Sequence, residues 1–380
     1  MKKKFALLIL LALALTAILA ACNNPDATQI IPRWSTDGET YVYNVSLADF
    51  AESGNSRFTS YSDNGETYYK DFLVRVGEPL DDLDEVRPAA VTGTYTMTVS
   101  HLTDDKYDRV ETKLELLVSY LYENGKISVG KDKWIELSAE LAAVGEVTGK
   151  HITFDSTTET MVEFNRHDGG KQAPRKSSTK VDGFYLGKSH QEISAYEIAT
   201  EYDYSGKKTV AKSELKMGGK TDTISETLKR YGEGSFIDSN QLFTYTRSFD
   251  KTSTSFQDNP SVAVYNPFNQ QMQSASFTFT ASANAVLTRA NEQPLYAKLP
   301  TVGVAVGGMP FMLQESAPNM LDQKADRTQY GEDWFAKHTP VRFRVGYISY
   351  ELNYEVGTPA DTNQGITLWD ALKNYSTKQK

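Results

Sequence analysis

Strict alternation of apolar and polar residues constrains this chain more than any other feature. In TGTYTMTVSH, Tyr95, Met97 and Val99 alternate with Thr94, Thr96, Thr98 and Ser100. In SASFTFTAS, Phe277, Phe279 and Ala281 alternate with Ser276, Thr278, Thr280 and Ser282. In GETYVYNVSL, Tyr41, Tyr43, Val45 and Leu47 share one phase. A period of two sends successive side chains to opposite sides of a strand, and one buried face with one wet face belongs to antiparallel sheets. Threonine and tyrosine, which fill these runs, are favoured on pleated, half-buried surfaces.

The turn chemistry agrees. Asn124-Gly125 and Asn64-Gly65 each lie between alternating runs. Asn-Gly is the strongest short hairpin signal because both turn positions need positive φ. Ser205-Gly206 and Gly218-Gly219 are spaced for a meander. In PVRFRVGYISYELNYEV, Val341, Phe343, Val345 and Tyr347 hold one phase, and Tyr350, Leu352, Tyr354 and Val356 the other. The slip between Gly346 and Ser349 predicts a bulge or a tight turn.

Helices are few and short. Asp238 with Gln241 three residues later outlines a capping box in FIDSNQLFTYTRSF. Leu368, Trp369, Leu372 and Tyr375 form a stripe after the cap candidate Thr367. EPLDDLDEVRP has room for one or two turns between Pro79 and Pro88. The absence of βαβ alternation argues against a parallel doubly wound sheet. The stretch Arg166 to Lys180, RHDGGKQAPRKSSTK, has no apolar residue larger than alanine or proline. It predicts an exposed loop or linker, dividing two lobes (33–165 and 181–357) or decorating one continuous sheet system.

The N-terminus carries an address. Lys2, Lys3 and Lys4 precede the apolar run Phe5 to Leu19, which ends in Ala20, Ala21 and Cys22, the only cysteine of 380 residues. This is the pattern of an export signal, too short for the roughly 20 residues of a membrane span. Leu19-Ala20-Ala21-Cys22 resembles the lipobox of bacterial lipoproteins. The resemblance implies cleavage after Ala21 and a diacylglyceryl group on the Cys22 sulfur. It divides the chain into a signal peptide (1–21), a lipidated tether (22–32), a β domain (33–357) and a C-terminal segment with a short amphipathic helix (358–380). Two acyl chains hold stably to a membrane where one holds marginally. Losing three lysines with the leader takes the formal charge from −9 to −12. An acidic body has no electrostatic footprint for nucleic acid and no polybasic patch for anionic lipid. Without a second cysteine, stability must come from the core, and a chain of this length can bury a large one.

A second resemblance lies in the strands. GETYVYNVSL followed by GTYTMTVS is similar to the opening hairpin of exported β-domains of unknown function related to the lipoprotein-carrier (Lol-type) fold. IDSNQLFTYTRSF, then FTFTASANAVL, matches their middle. The resemblance implies a strongly curved antiparallel sheet, a half-barrel with a concave apolar face. It supplies no catalytic residues.

Most familiar chemistries lack their residues. The five histidines, His101, His151, His167, His190 and His338, stand apart, and H-E-x-x-H is missing. Thiolate zinc sites need cysteines that the chain does not have. No G-x-S-x-G is present. S-x-x-K occurs at Ser177 to Lys180 and Ser205 to Lys208, without the helix start that serine acylation needs. GEVTGKH at Gly145 is one residue short of a phosphate loop and reads as a turn. Asp81, Asp82, Asp84 and Glu85 lack the glycine of a Ca²⁺ loop. Paired carboxylates need proximity in space, which 49 acidic residues leave undetermined. VGVAVGGMPFML offers Met309, Phe311, Met312 and Leu313 either as the rim of an apolar pocket or as a buried strand and turn. The tyrosines serve either as a glycan platform or as the packed face of a sheet.

The expectation is a mainly β protein: a curved antiparallel sheet or half-barrel with a few short helices, exported and lipid-anchored outside the cytoplasm. Its expected role is non-enzymatic binding of an apolar ligand or association with envelope proteins, without cofactor or metal. The alternative is an extracytoplasmic hydrolase acting on glycan or peptide.

Overall fold

The computed structural model describes residues 38–47, 89–102, 106–130, 133–165, 172–186, 191–248, 261–317, 339–345, 348–357 and 367–378. The first half of the chain contributes β1 (Glu39–Leu47), β2 (Ala90–His101), β3 (Tyr107–Glu123), β4 (Lys126–Gly130), β5 (Lys133–Glu136), α1 (Ala139–Val144), β6 (Glu146–Thr148), β7 (His151–Asn165), β8 (Pro174–Leu186), β9 (Gln191–Asp203), β10 (Thr209–Met217) and β11 (Lys220–Leu228). The second half contributes β12 (Phe236–Asp238), α2 (Leu242–Tyr245), β13 (Ser261–Asn266), β14 (Gln271–Leu287), β15 (Leu295–Val306), β16 (Met309–Ser316), β17 (Pro340–Val345), β18 (Ile348–Gly357) and α3 (Leu368–Lys378). The protein is mainly β, as the alternation predicts.

Strand pairing builds one long ladder, β11–β10–β9–β8–β7–β3–β2–β1–β18–β17–β16–β15–β14–β13–β12. Every step is antiparallel except the last, where β12 lies parallel to β13. The hairpin β4–β5 extends the far end of β3, and β6 extends β7. The first strand sits mid-ladder against the last, Val45 facing Tyr350. Among the described strands, that pairing is the ladder step that joins the two halves of the chain. The ladder is not closed, because β11 and β12 make no hydrogen-bonded pair with each other.

The two ends of the ladder nevertheless approach each other. Tyr202 of β9, Ala211 of β10, Leu228, Phe236 and Tyr265 form a separate apolar cluster. The Tyr202 ring packs tilted against Phe236 at 5.6 Å and edge-on against Tyr265 at 6.0 Å. Its hydroxyl donates to Asp238.

Local chemistry explains the turns. Asn124 and Gly125 take φ of 52° and 77°, as the tight hairpin between β3 and β4 requires. Gly218 and Gly219 do the same between β10 and β11, with φ of 58° and 73°. The phase slip falls between β17 and β18, which pair antiparallel with Val345 facing Ile348; Gly346 and Tyr347 lie outside the described residues. Asp238 and Gln241 form the expected capping box, around a single 3₁₀ turn that leads into the four-residue α2. Thr367 caps α3, accepting from the Asp370 amide at 3.2 Å.

One expectation fails. Arg175 to Lys180 are strand, within β8, and not loop. Their inner face is polar because it meets polar groups: Asn240 donates to the Ser178 carbonyl at 3.3 Å and to the Thr179 hydroxyl at 3.1 Å. A strand whose two faces both satisfy hydrogen bonds shows no apolar alternation. Residues 166–171, the turns predicted at Asn64-Gly65 and between Pro79 and Pro88, and the acidic set Asp81 to Glu85 lie outside the described residues.

Apart from that smaller cluster, the core is one large cluster on the inner side of the ladder. Tyr41, Tyr43, Met97, Val99, Val110, Val118, Phe277, Phe343 and Tyr350 belong to it, each almost wholly buried. Burying a side chain of this size contributes roughly 1.5–3 kcal/mol.

Candidate functional site

The inner, concave face is filled by the chain itself. The segment from Phe236 to Ser248 crosses it as a short strand, a 3₁₀ turn, α2 and another 3₁₀ turn. Phe243 packs at 4.5 Å from the Phe343 ring and within 6.4 Å of Tyr43 and 6.3 Å of Tyr95. Phe343 in turn stacks on Tyr350 at 4.2 Å and 7°. Tyr43 donates to the Pro340 carbonyl at 3.1 Å, and burial drives its hydroxyl far above the ordinary tyrosine range. At the other side of the concavity Leu368, Trp369 and Leu372 of α3 are fully buried, Trp369 against Tyr354 at 4.9 Å.

Buried charges pin this segment. Arg247 is fully enclosed, 3.4 Å from the Glu39 carboxylate, with its guanidinium carbon 5.0 Å from the centre of the Tyr41 ring. Its Nη2 donates to the Tyr41 hydroxyl at 3.3 Å, and that hydroxyl donates to Glu39. Thr246 donates to Gln314 at 2.7 Å, and Gln241 to the Gln172 carbonyl at 2.9 Å. The segment thus reaches β1, β16 and the entry to β8. These contacts hold two structural charges in place. They offer no nucleophile beside a base.

The outer face is different. Across β3, β7, β8, β9 and β10, register sets Arg109, Glu163, Lys176, Glu201 and Lys212 in one row. A second row holds Lys113, Glu159, Lys180, Glu197 and Lys216. Signs alternate at every step in both rows. The contacts follow: Arg109 to Glu163 at 2.5 Å, Lys176 to Glu201 at 2.7 Å and Lys216 to Glu197 at 3.5 Å. The Lys176 hydrogen bond holds the Glu201 carboxyl below the usual glutamate range.

Between the two rows runs a third, Thr98, Glu111, Met161, Ser178, Ala199 and Glu214. Its central residues are short or flexible, so a trough opens there with a volume of about 490 Å³. Thr96, Lys113, Glu159, Lys180 and Glu197 contribute to its walls. The charged rows lie four residues apart along each strand, roughly 13 Å. That width suits one extended chain lying across the strands. Glu111 and Glu159 are exposed and stand among lysines.

The remaining sequence candidates fall elsewhere. Met312 is buried in the core against Val304, and Leu313 is buried on the opposite side of β16. Phe311 is 37% exposed and adjoins the β15–β16 turn. Met309 begins that strand. VGVAVGGMPFML is therefore a hairpin with Gly307-Gly308 at its turn, and Met312 serves the core. Ser177 is buried inward while Lys180 points out on the same strand, so their S-x-x-K cannot bring the two together. Ser205 to Lys208 form a surface turn, with the Ser205 hydroxyl on Asp203 at 2.6 Å. Gly145 ends α1, and Gly149 makes the turn between β6 and β7. His101 meets Asp108 at 2.5 Å at the end of the β2–β3 hairpin. Among the described residues no three His, Cys, Asp or Glu side chains are grouped to hold a metal, and no helix is long and apolar enough to cross a membrane. Ala21 and Cys22 lie outside the described residues.

Sequence reasoning missed both the Arg247–Glu39 pair and the trough. The available signal for the trough was charge at outward positions, of one sign within a strand (Glu159 and Glu163 in β7, Lys176 and Lys180 in β8, Glu197 and Glu201 in β9), which becomes rows of alternating sign only once the strands are paired.

No family model matches the chain. No curated protein matches it either. Among solved structures, one similar chain is described as a β-barrel-like protein of domain of unknown function DUF1849 from Brucella abortus. The two share 7% identity and a TM-score of 0.38, over 84% of this chain and 95% of the other.

Proposed function

We propose that this is a lipid-anchored extracytoplasmic protein that works by binding, and that its outer trough holds a neutral, hydroxyl-rich polymer of the cell envelope. The observation that carries the reading is the contrast between a concave face filled by Phe243, Arg247 and Trp369 and an open trough on the other side of the same sheet. A chamber for an apolar ligand needs the concave face free.

The chemistry of the trough points to the ligand class. Walls of alternating sign sum to little net charge, so they favour neither a polyanion nor a polycation. Threonine and serine hydroxyls, carboxylates and ammonium groups at about 4.8 Å intervals offer donors and acceptors in turn. Met161 gives the floor an apolar spot for the face of a sugar ring. The tether joins the sheet beside this site: Thr40, second residue of β1, lies 3.2 Å from Thr98 through their hydroxyls. Residues 23–38 span at most roughly 55 Å, which keeps the trough close to the surface that Cys22 would hold.

Two experiments test the reading. Cells given labelled fatty acid should label the wild-type chain and not Cys22→Ser; an unlabelled wild-type chain removes the anchor. For the trough, mobility in gels containing neutral polysaccharides should be retarded for the wild type. Ser178→Trp, which fills the floor, should weaken retention at least about tenfold with the melting transition unchanged. Equal retention of both proteins places binding elsewhere, and no retention by any neutral polysaccharide removes the ligand class.

A further inference from the structure

The two ends of the ladder are managed in opposite ways. At one end β12 has three residues, all buried, and runs directly into a capped turn. At the other end β11 has nine residues, of which Lys220 to Thr223 and Ser225 are exposed. It pairs in unbroken register with β10 and with no other described strand. It contains no proline and no bulge, and guards its edge by charge alone, with Lys220, Asp222 and Glu226 in the inward phase. A row of backbone N–H and C=O groups is left ready for another strand.

The sequence of that edge is complementary to itself. In an antiparallel pair of β11 strands centred on Thr223, Lys220 faces Glu226, Thr221 faces Ser225 and Asp222 faces Ile224, each twice, so opposite charges meet and no like charges do. Moving the centre by one residue destroys the match. Centred on Asp222, that carboxylate meets its own copy; centred on Ile224, Asp222 meets Glu226. Like charges directly opposite are destabilising and opposite charges stabilising, so only one centre is favoured. The same centre keeps the inward series Lys220, Asp222, Ile224, Glu226 and Leu228 on one side of the joined sheet.

We infer that β11 is a self-association edge: two copies of this chain pair antiparallel along it, about a two-fold axis at Thr223. Such an isologous contact closes on itself and consumes both open edges, so it stops at the dimer. It has a consequence for the trough. Glu214, at the end of the trough row, faces Thr223 in the β10–β11 register. The residue row that floors the trough then continues across the axis through Thr223 of both copies, with β10 and β11 of each copy between the two cavities. The edge pairing stands on the β11 residues alone; only this continuity rests on the trough reading.

Site-directed cross-linking of the full chain tests the axis. Directly opposed residues have Cα atoms about 4.5–5.5 Å apart, within the span of a disulfide. Thr223→Cys should therefore link to itself under mild oxidation. Thr221→Cys should not, since its own copy lies roughly 13 Å away. The unsubstituted chain run alongside reports any link made through Cys22. In sedimentation, Lys220→Glu should weaken dimerisation about tenfold, and adding Glu226→Lys should restore it. A wild-type chain that stays monomeric at its highest soluble concentration overturns the inference. So does equal linking through Thr221→Cys, or a charge reversal that leaves the dimer unchanged. Failure of polysaccharide binding with the dimer intact removes only the trough reading.

Discussion

The inner and outer faces of β3, β7, β8 and β9 belong to the same strands, yet they hold their charges by different means. On the concave side, Arg247 and Glu39 are both fully enclosed, and one polar cluster with Tyr41 ties a crossing segment to β1. On the convex side, Lys176 and Glu201 remain 43% and 67% exposed and owe their contact to register alone. Water has left the first pair and still screens the second. A buried pair fixes position because losing one member strands the other. An exposed row tolerates losses, and its role is to shape a surface.

That difference sets the largest expected effect. Arg247→Ala leaves the Glu39 carboxylate buried beside Tyr41 without its guanidinium, and should cost about 3–5 kcal/mol in urea unfolding. Lys176→Ala, which breaks the closer but exposed 2.7 Å pair outside, should cost less than about 1 kcal/mol, and still less in high salt. Comparable losses for the two variants would erase the distinction between the faces.

The sequence makes one of these faces easy to read and the other hard. Met97, Val99, Val110 and Val118 declare the inner side by alternation alone, because apolar burial acts on each strand separately. The rows outside depend on which strand lies next to which. Lys113 meets Glu159 only because β3 gives just its last two residues to β4 and pairs along the rest of its length with β7, a choice that no local signal records. The β1–β18 pairing is more remote still, joining Val45 to Tyr350. Arg247 follows the same rule: its partner Glu39 is 208 positions away, and within FTYTRSF it looks like an ordinary polar residue of a short helix. β8 is hidden for a different reason. Ser177 and Thr179 face inward onto polar partners, so the strand carries no apolar phase and reads as a loop. Turns and caps were legible, since Asn124-Gly125, Gly218-Gly219 and the Asp238 capping box are determined by residues within a few positions of one another.

The smallest expected effect concerns acid, and it has opposite signs on the two faces. Burial raises the Asp238 carboxyl above its ordinary 3.8, against the pull of hydrogen bonds from Ser177, Tyr202 and the Asn240 amide. The folded protein then holds that proton more tightly than the unfolded chain does. Its stability contribution is most favourable below 3.8 and declines as pH rises through the raised folded value. Glu201 is the reverse case. Its hydrogen bond from Lys176, then the lysine's charge, lower the carboxyl below its ordinary 4.5, so its contribution is present above 4.5 and is lost as pH falls through the lowered value. Because Glu201 is largely exposed, this second contribution is only a few tenths of a kcal/mol and fades with salt. Urea unfolding across a pH series separates the two. Asp238→Asn keeps the side-chain shape and one acceptor while removing the titration, and should flatten the decline on the side above 3.8. Lys176→Ala should flatten the loss on the side below 4.5 and leave the other flank alone. If both variants alter the same flank, the two faces do not differ in how they hold charge.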